Sequence, residues 1–248
     1  VWEIPETQRA AKGQAIVNLI NIEGNEKVTA VLTARGKDES AKYFFMATKN
    51  GTVKKTPLEE YANIRKNGLV SIKLDQGDVL GWVSLSKGDQ DLILVSKKGQ
   101  SIRFSEKQVK PTHRDTFGVR GIKLKKEDEV VMASIIVDDK SEMLVITQNG
   151  LGKKTLVSAW TKQGRGGQGV KAAQITVKTG DIVTADIVDK TIDLLVLTST
   201  KGQLIKMDLK EVPTLQRQTQ GVILMRVKDG EKVAAATTVS SKDRTSDE

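Results

Sequence analysis

The sequence predicts an all-β fold in which four-stranded units repeat and pack side by side in a propeller-like ring. The first supporting observation is an apolar run that starts at 28, 79, 130, 182 and 233, at intervals of 51, 51, 52 and 51 residues. The second is a turn glycine, found at Gly51, Gly99, Gly150 and Gly202. The third is a glycine that opens another apolar run, found at Gly13, Gly68, Gly118, Gly169 and Gly221. Four short strands repeating at this length are typical of propeller blades.

Each unit is predicted to contain four strands in a fixed order. The apolar run forms the first strand, and a second strand such as 92–96 ends in a Lys-Gly or Asn-Gly turn, which favours a hairpin. The third strand follows the turn glycine, and we expect it at 52–56, 101–104, 152–156 and 204–207. A polar loop then leads to the fourth strand, expected at 121–124 and 222–225. Short helical turns are expected at 58–61 and 156–159.

The repeat also predicts the domain organisation. We expect one domain over 1–240, with units at about 28–78, 79–129, 130–181 and 182–232, partial units at both ends, and a polar tail at 241–248. Residues 1–13 align with 209–221, so we expect a fragment that begins inside a unit of a longer protein. A string of small β-barrels is the alternative architecture. The nearly constant period favours the ring, because each unit is too small to bury its own faces.

Composition limits the function classes. The chain has 248 residues and a net charge of +9, with a pI of about 9.5. This charge indicates a polyanion such as nucleic acid, or an acidic membrane surface, although a merely soluble basic protein is an open alternative. There are no cysteines, so disulfides and thiolate metal sites are excluded. The lack of cysteines also fits a cytoplasmic location, and because no run of 18 apolar residues exists we expect no membrane span.

Basic residues recur at two places in the unit. One is the third strand, and the other is the polar loop together with the start of the fourth strand. An arginine lies four residues before the opening glycine at Arg9, Arg114, Arg165 and Arg217, and the remaining unit has Arg65 next to that position. Repetition around a ring would form a basic belt that suits the DNA backbone and does not read sequence. The expected DNA contacts are Arg9, Lys12, Lys54, Lys55, Arg65, Lys66, Arg103, Arg114, Arg120, Lys153, Lys154, Arg165, Lys171, Lys206 and Arg217. Alternatively, these cations only solvate strand faces and discourage edge pairing.

Other candidate sites are weak. His113 is the only histidine and is expected on a surface loop, and the acidic runs 127–129 and 138–139 are expected in solvated turns. Residues 75–78 lack the later ligands of a calcium loop. We expect core packing for Trp2, Trp82 and Trp160. Tyr43 and Tyr61 have no neighbours that would make a nucleophile. We therefore predict no catalytic site and no metal site.

The loop Gln163, Gly164, Arg165, Gly166, Gly167, Gln168, Gly169 has four glycines that permit close approach of another molecule, and an arginine that suits a phosphate. Taken alone, a glycine-rich loop of this kind favours a flexible surface loop. It resembles the Gln-basic-Arg-Gly-Gly-basic-Gly box of the DNA gyrase A subunit's C-terminal domain. Runs at 16–19, 46–48, 50–56, 118–122, 147–150 and 220–224 resemble that domain in order and spacing. The topoisomerase IV C-terminal domain is a close relative.

The resemblance implies a β-pinwheel, a six-bladed propeller-like ring in which neighbouring blades exchange strands, with about five blades represented here. It implies that duplex DNA wraps around a basic rim and that this supports ATP-dependent negative supercoiling. The implied partners are duplex DNA, the gyrase B subunit and the rest of the A subunit. The implied location is the bacterial cytoplasm, at the nucleoid and not at a membrane. The catalytic tyrosine and the ATPase would lie outside this chain. It would then be no enzyme alone and hold no cofactor, whereas the parent would use ATP and Mg²⁺.

Two features of the loop depart from the family pattern. Gly164 and Gln168 stand where basic residues are usual, and the loop lies in a later unit than the first blade. We therefore expect an accessory copy of the box, with Gln163, Arg165 and Gln168 as DNA contacts, rather than a box that has moved. A topoisomerase IV domain, or a protein-interaction module with an incidental basic rim, is the alternative function.

Overall fold

The computed structural model describes residues 11–14, 18, 27–29, 40–63, 68–228 and 230–240. Predictions for Trp2, Arg9, Arg65, Lys66 and the 241–248 tail lie outside the described residues, as does most of the first strand expected from 28. In the described part, no helix is long and apolar enough to cross a membrane.

The described chain consists of short strands joined by turns and loops, as the β-branched apolar runs predict. The strands are β1 (Tyr43–Thr48), β2 (Thr52–Pro57), β3 (Leu80–Ser86), β4 (Asp91–Ser96), β5 (Gln100–Ser105), β6 (Val119–Arg120), β7 (Val130–Ile136), β8 (Glu142–Thr147), β9 (Leu151–Leu156), β10 (Val170–Lys171), β11 (Ile182–Val188), β12 (Ile192–Ser199), β13 (Leu204–Asp208), β14 (Val222–Ile223) and β15 (Val233–Ser240). Single 3₁₀ turns follow the third strands at Leu58–Tyr61, Glu106–Gln108, Val157–Ala159 and Leu209–Glu211.

The sheets are built from strands of two consecutive units. Their strand orders are β3-β1-β2-β6, β7-β4-β5-β10, β11-β8-β9-β14 and β15-β12-β13, all antiparallel. The two middle strands of each sheet belong to one unit. The strand printed first in each order is the first strand of the next unit, and the short outer strand of the three four-stranded sheets also comes from that next unit. The all-β, propeller-like prediction is confirmed, and the strand exchange that the resemblance implied is present.

The sheets have an inner and an outer edge. The first strands β3, β7, β11 and β15 contact one another in succession and form the inner edge. The short strands β6, β10 and β14 lie at the opposite edge, each beyond a third strand. We call these outer strands, together with the loops 110–118, 161–169 and 213–221 that lead into them, the rim.

The hydrophobic core lies between neighbouring sheets. On β4, Leu92 and Leu94 pack toward Phe45 and Val53 of the preceding sheet, whereas Ile93 and Val95 pack toward Met143 of the following sheet. Successive strand residues point to opposite faces. A strand that is buried on both faces is therefore continuously apolar, which explains the runs seen in the sequence.

The predicted strands match the structure well except at the outer edge. The third strand expected at 52–56 is Thr52–Pro57, and the two expected helical turns are confirmed as 3₁₀ turns. The fourth strand expected at 121–124 is wrong, because the ladder is only Val119–Arg120. The N–H groups of Gly121 and Ile122 instead both donate to the carbonyl of Gly51, and Ile122 is buried against that turn.

Candidate nucleic-acid interface

Three rim loops carry an arginine at the same position, and each guanidinium makes the same main-chain contact. We call Arg114, Arg165 and Arg217 the rim arginines. Nη1 of each donates to the carbonyl two residues after the opening glycine of the preceding unit. The pairs are Arg114 with Val70 at 3.3 Å, Arg165 with Arg120, and Arg217 with Lys171 at 2.7 Å. The rim arginines therefore join consecutive units along the outer edge.

A second hydrogen bond fixes the direction of two guanidinium groups. Nε of Arg165 donates to the carbonyl of Gln108 at 3.2 Å, and Nε of Arg217 donates to the carbonyl of Ala159 at 3.1 Å, the corresponding position one unit later. Guanidinium has five N–H donors. Nη2 of both arginines has no protein partner within the described residues, and the side chains are half-exposed. Donors in a fixed orientation thus remain available for an anion.

The box-like loop 163–169 is bound to the preceding unit at several points. The N–H of Gln163 donates to the carbonyl of Arg103 at 2.8 Å, and that of Gly166 to the carbonyl of Gly121 at 2.7 Å. The N–H of Arg165 donates to Oε1 of Gln108 at 2.7 Å. The structure therefore favours a shaped loop over the flexible linker that its glycines also fit.

The structure contradicts direct DNA contact for most of the third-strand cations. Lys54, Lys55, Arg103 and Lys153 are only 1%, 3%, 5% and 1% exposed. An outer strand lies beyond each of these third strands, and the four side chains are buried in the protein. The side chain of Lys154 is 12% exposed and pairs with Glu142 at 3.1 Å. Lys206 alone among the predicted third-strand cations is exposed.

The buried cations have protein partners. Nζ of Lys55 lies 3.6 Å from a carboxylate oxygen of Glu106 and 4.9 Å from the centre of the Tyr43 ring. Nζ of Lys54 donates to the main-chain carbonyl of Arg114, and Nζ of Lys153 to that of Gln216, both in rim loops. Burial lowers the pKa of Lys54 to about 8, against the opposing charges of Asp115 and Glu60. Burial, together with the nearby charge of Arg217, lowers the pKa of Lys153 to about 8.

The other predicted rim residues are accessible. Arg120 and Lys171 are exposed on β6 and β10, and Gln168 is exposed, whereas Gln163 is half-buried. Lys12 is also exposed, in the short described segment 11–14. The exposed residues Lys110, Lys123 and Lys162 lie in or beside the same loops and were not predicted from the sequence. The only feature of the sequence that could have indicated these lysines is their proximity to the rim arginines.

The weak candidates have structural roles. The side chain of His113 is 81% exposed and contacts Glu60 at 2.7 Å. Trp160 is fully buried and Trp82 packs against the core. Asp128 accepts hydrogen bonds from Ser96 and Lys98 and so stabilises the neighbouring hairpin turn. In the described ranges, no group of three or more His, Cys, Asp or Glu side chains could hold a metal ion.

Comparison with known proteins gives one family. A family model described as DNA gyrase C-terminal domain, beta-propeller, matches residues 1–35, 42–84, 90–136, 141–189 and 193–240. The last three breaks between segments fall at the turns between first and second strands.

Relatives are found by sequence and by structure. The chain is 40% identical over 233 residues to the A subunit of DNA gyrase from Escherichia coli K12, covering 94% of this chain and 26% of that protein. It is 35% identical over 243 residues to the corresponding Staphylococcus epidermidis ATCC 12228 protein, covering 98% and 27%. The chain thus spans about a quarter of these relatives.

Two solved structures are similar over most of both chains. One is a topoisomerase IV C-terminal domain, with a TM-score of 0.84, 26% identity and coverage of 94% of this chain and 72% of that one. The other is a DNA gyrase A C-terminal domain, with a TM-score of 0.77, 24% identity and coverage of 92% and 75%. The similarity to this second structure shows a shared fold.

Proposed function

Because the chain belongs to the family of DNA gyrase C-terminal domains, we propose that its rim binds duplex DNA without reading the sequence and that the DNA wraps around the rim. The observation that carries this proposal is the equivalent placement of Arg114, Arg165 and Arg217 at the outer edge of three consecutive sheets. The guanidinium groups of Arg165 and Arg217 are each held by two hydrogen bonds, and a guanidinium group matches the geometry of a phosphate.

The shape of the belt supports backbone binding. Each sheet is offset from the last by one unit, so the rim arginines follow one another along the outer edge of consecutive sheets. Exposed Arg120 and Lys171 add charge on the outer strands. DNA carries phosphates at regular intervals along its length. In a propeller-like ring, a row of cations along this edge would favour bent DNA over straight DNA.

In the parent protein, the chain would act as a DNA-wrapping part of an enzyme whose chemistry lies elsewhere. The partners would be the gyrase B subunit together with the rest of the A subunit, and the outcome would be ATP-dependent negative supercoiling. ATP and Mg²⁺ would be used outside this chain. The box-like loop would contribute one phosphate contact through Arg165, because Gly164 and Gln168 carry no charge.

Replacing the three rim arginines with glutamine is expected to reduce the salt dependence of DNA binding. Each phosphate contact contributes about −0.9 to the slope of log affinity against log salt, so the slope should become shallower by about 3. The measurement is the affinity for a linear mixed-sequence duplex over a series of salt concentrations. Thermal unfolding of each variant shows whether it is folded at the assay temperature.

The matched control is the triple variant Lys140→Gln, Lys178→Gln, Lys190→Gln. It removes the same charge from exposed turns outside the rim, and its slope should change much less. Equal changes in both triple variants would show that overall charge matters and the belt does not. That result would favour a protein-interaction module whose basic rim is incidental.

Wrapping is tested separately from binding. The chain is bound to nicked circular DNA, the nick is ligated, and the linking number is measured after the protein is removed. We expect a shifted linking-number distribution for the natural sequence and no shift for the rim-arginine variant. Tight binding that leaves the linking number unchanged would contradict wrapping by this chain.

A further inference from the structure

Two fully buried lysines bind the main chain of rim arginines. Lys54 on β2 and Lys153 on β9 occupy the same position in two units, three residues after the turn glycine, and each is 1% exposed. Nζ of Lys54 donates to the carbonyls of Ser71, at 2.7 Å, and of Arg114. Nζ of Lys153 donates to the carbonyls of Gln216, at 2.7 Å, and of Arg217. Each ammonium group thus holds the main chain of one rim arginine.

These contacts restrain the arginine from two sides. The carbonyl of Arg217 faces the interior, where it accepts from Lys153, while its guanidinium reaches the carbonyls of Ala159 and Lys171 at the rim. Its guanidinium carbon also lies 6.0 Å from the centre of the Trp160 ring. With the main chain and the side chain both held, the free Nη2 group keeps one direction. A phosphate contact made from this position loses little conformational entropy on binding.

The unit between them shows what replaces the lysine. Ile102 occupies the equivalent position and is fully buried. There the loop is held by Gln108, whose Oε1 accepts from the N–H of Arg165 and whose Nε2 donates to the carbonyl of Gln163 at 3.2 Å. An apolar residue therefore fits this core position, and the loop still has a side chain that fixes its main chain.

Stability alone gives no reason to prefer lysine at this position. Burial of an ammonium group is costly, and well-packed apolar residues often replace buried charges without loss of stability. The lowered pKa values of Lys54 and Lys153 have the same cause. What the lysine adds over isoleucine is a charged donor directed at the carbonyl of the rim arginine.

We propose that Lys54 and Lys153 are positioning residues for DNA binding, which hold Arg114 and Arg217 in the orientation that meets phosphate. This inference rests on the proposed function. Neither lysine touches DNA, so each acts only through its arginine. The effects of changing a lysine and its own arginine are therefore not independent.

A double-mutant cycle tests this dependence. Lys153→Met, Arg217→Gln and the double variant are compared with the natural sequence for affinity to a linear duplex at about 0.1 M salt. We expect each single variant to bind about fivefold more weakly, roughly the contribution of one phosphate contact at that salt concentration. The double variant should bind no more weakly than Arg217→Gln alone.

Two controls accompany the cycle. The double variant of Lys153→Met and Arg165→Gln should weaken DNA binding by the product of the two single fold-changes, because Arg165 has no contact with Lys153. Ile102→Met changes the equivalent core position without removing a donor and should leave affinity unchanged. If Lys153→Met is unfolded at the assay temperature, the cycle of Lys54→Met with Arg114→Gln provides the same test.

The outcomes separate this inference from the proposed function. Multiplied effects of Lys153→Met and Arg217→Gln would overturn it, because the lysine would then act through its charge alone. Weakened binding by Arg217→Gln with none by Lys153→Met would also overturn it and leave the proposed function intact. Unchanged binding in both Arg217→Gln and Arg165→Gln would overturn both.

The pH dependence gives a second, independent measurement. Raising the pH from 7 to 9 deprotonates both lysines, and bonds from a neutral amine are weaker than charge-assisted bonds. We expect affinity to fall around pH 8 in the natural sequence and to stay flatter in Lys54→Met/Lys153→Met. The facing charges are Asp115 and Glu60 for Lys54, and Arg217 for Lys153. Identical pH profiles for the two proteins would contradict the inference.

Stability should change with pH in the opposite direction to affinity. Both lysines have folded pKa values below the ordinary value of 10.5. Between pH 8 and 10.5 the unfolded chain therefore binds more protons, so these two groups make the free energy of unfolding rise with pH. Affinity that falls while stability rises distinguishes loss of positioning from partial unfolding.

Discussion

Replacing Arg103 with methionine is expected to lower the free energy of unfolding by about 3–5 kcal/mol, the usual cost of removing one partner of a buried ion pair. Nη2 of Arg103 lies 2.6 Å from Asp91 and 2.6 Å from Asp139, and the Asp91 side chain is only 9% exposed. Nη1 donates to the carbonyls of Val157 and Trp160. The variant would leave a buried carboxylate with Lys162 as its remaining ion-pair partner, and would leave two carbonyls without that donor. Chemical denaturation measures the loss.

The control is Asp139→Asn, which removes the exposed partner of the same arginine. The Asp139 side chain is 63% exposed, so its ion pair should contribute at most about 1 kcal/mol. The folded fraction of Arg103→Met should bind DNA with an unchanged salt slope, because Arg103 is not on the surface. Unchanged stability together with a shallower salt slope would instead support the interpretation of Arg103 as a phosphate contact.

The strands within one unit could be predicted because their signals are local. A turn glycine such as Gly99 separates two apolar runs, and the resulting hairpin needs only neighbouring residues. The bounds of β4 and β5 therefore agree with the sequence to within a residue. The period also placed Arg114, Arg165 and Arg217 in equivalent positions, which the structure confirms.

Burial of the third-strand cations could not be predicted from local sequence, because it depends on a strand from the next unit. Lys55 and Lys206 occupy the same position in their units, four residues after the turn glycine. Lys55 is 3% exposed in a sheet completed by β6. Lys206 is exposed in a sheet that has three strands in the described part of the chain. A lysine at the same position in the unit is thus buried in one sheet and exposed in the other.

The contacts of the rim arginines were also beyond local reasoning. Their spacing predicts that they share a location, but the hydrogen bonds go to carbonyls 44 to 58 residues away in sequence. Such partners follow only from the exchange of outer strands between sheets. The same exchange lets the arginines join units, in addition to the DNA contact that we propose for them.

Replacing Gly169 with alanine is expected to lower the free energy of unfolding by about 3 kcal/mol, combining about 1–2 for a left-handed residue with a further cost of overpacking. Gly169 has a φ of 71°, and a Cβ there would lie 2.1 Å from the carbonyl oxygen of Ser101. Ser101 pairs with Val170 in the ladder, so any side chain pushes β10 away from β5. Thermal and chemical unfolding measure the loss.

The same change should weaken DNA binding, because β10 carries Lys171 and its carbonyl holds the guanidinium of Arg217. The matched control is Gly164→Ala in the same loop, where φ is not positive and nothing lies within 4 Å of the added Cβ. That variant should change stability by less than about 0.5 kcal/mol and leave affinity unchanged. Equal, small effects of both changes would show that the loop is a flexible linker. In a loop with a fixed conformation, the two substitutions should have different effects, because the two glycines have different backbone conformations and surroundings.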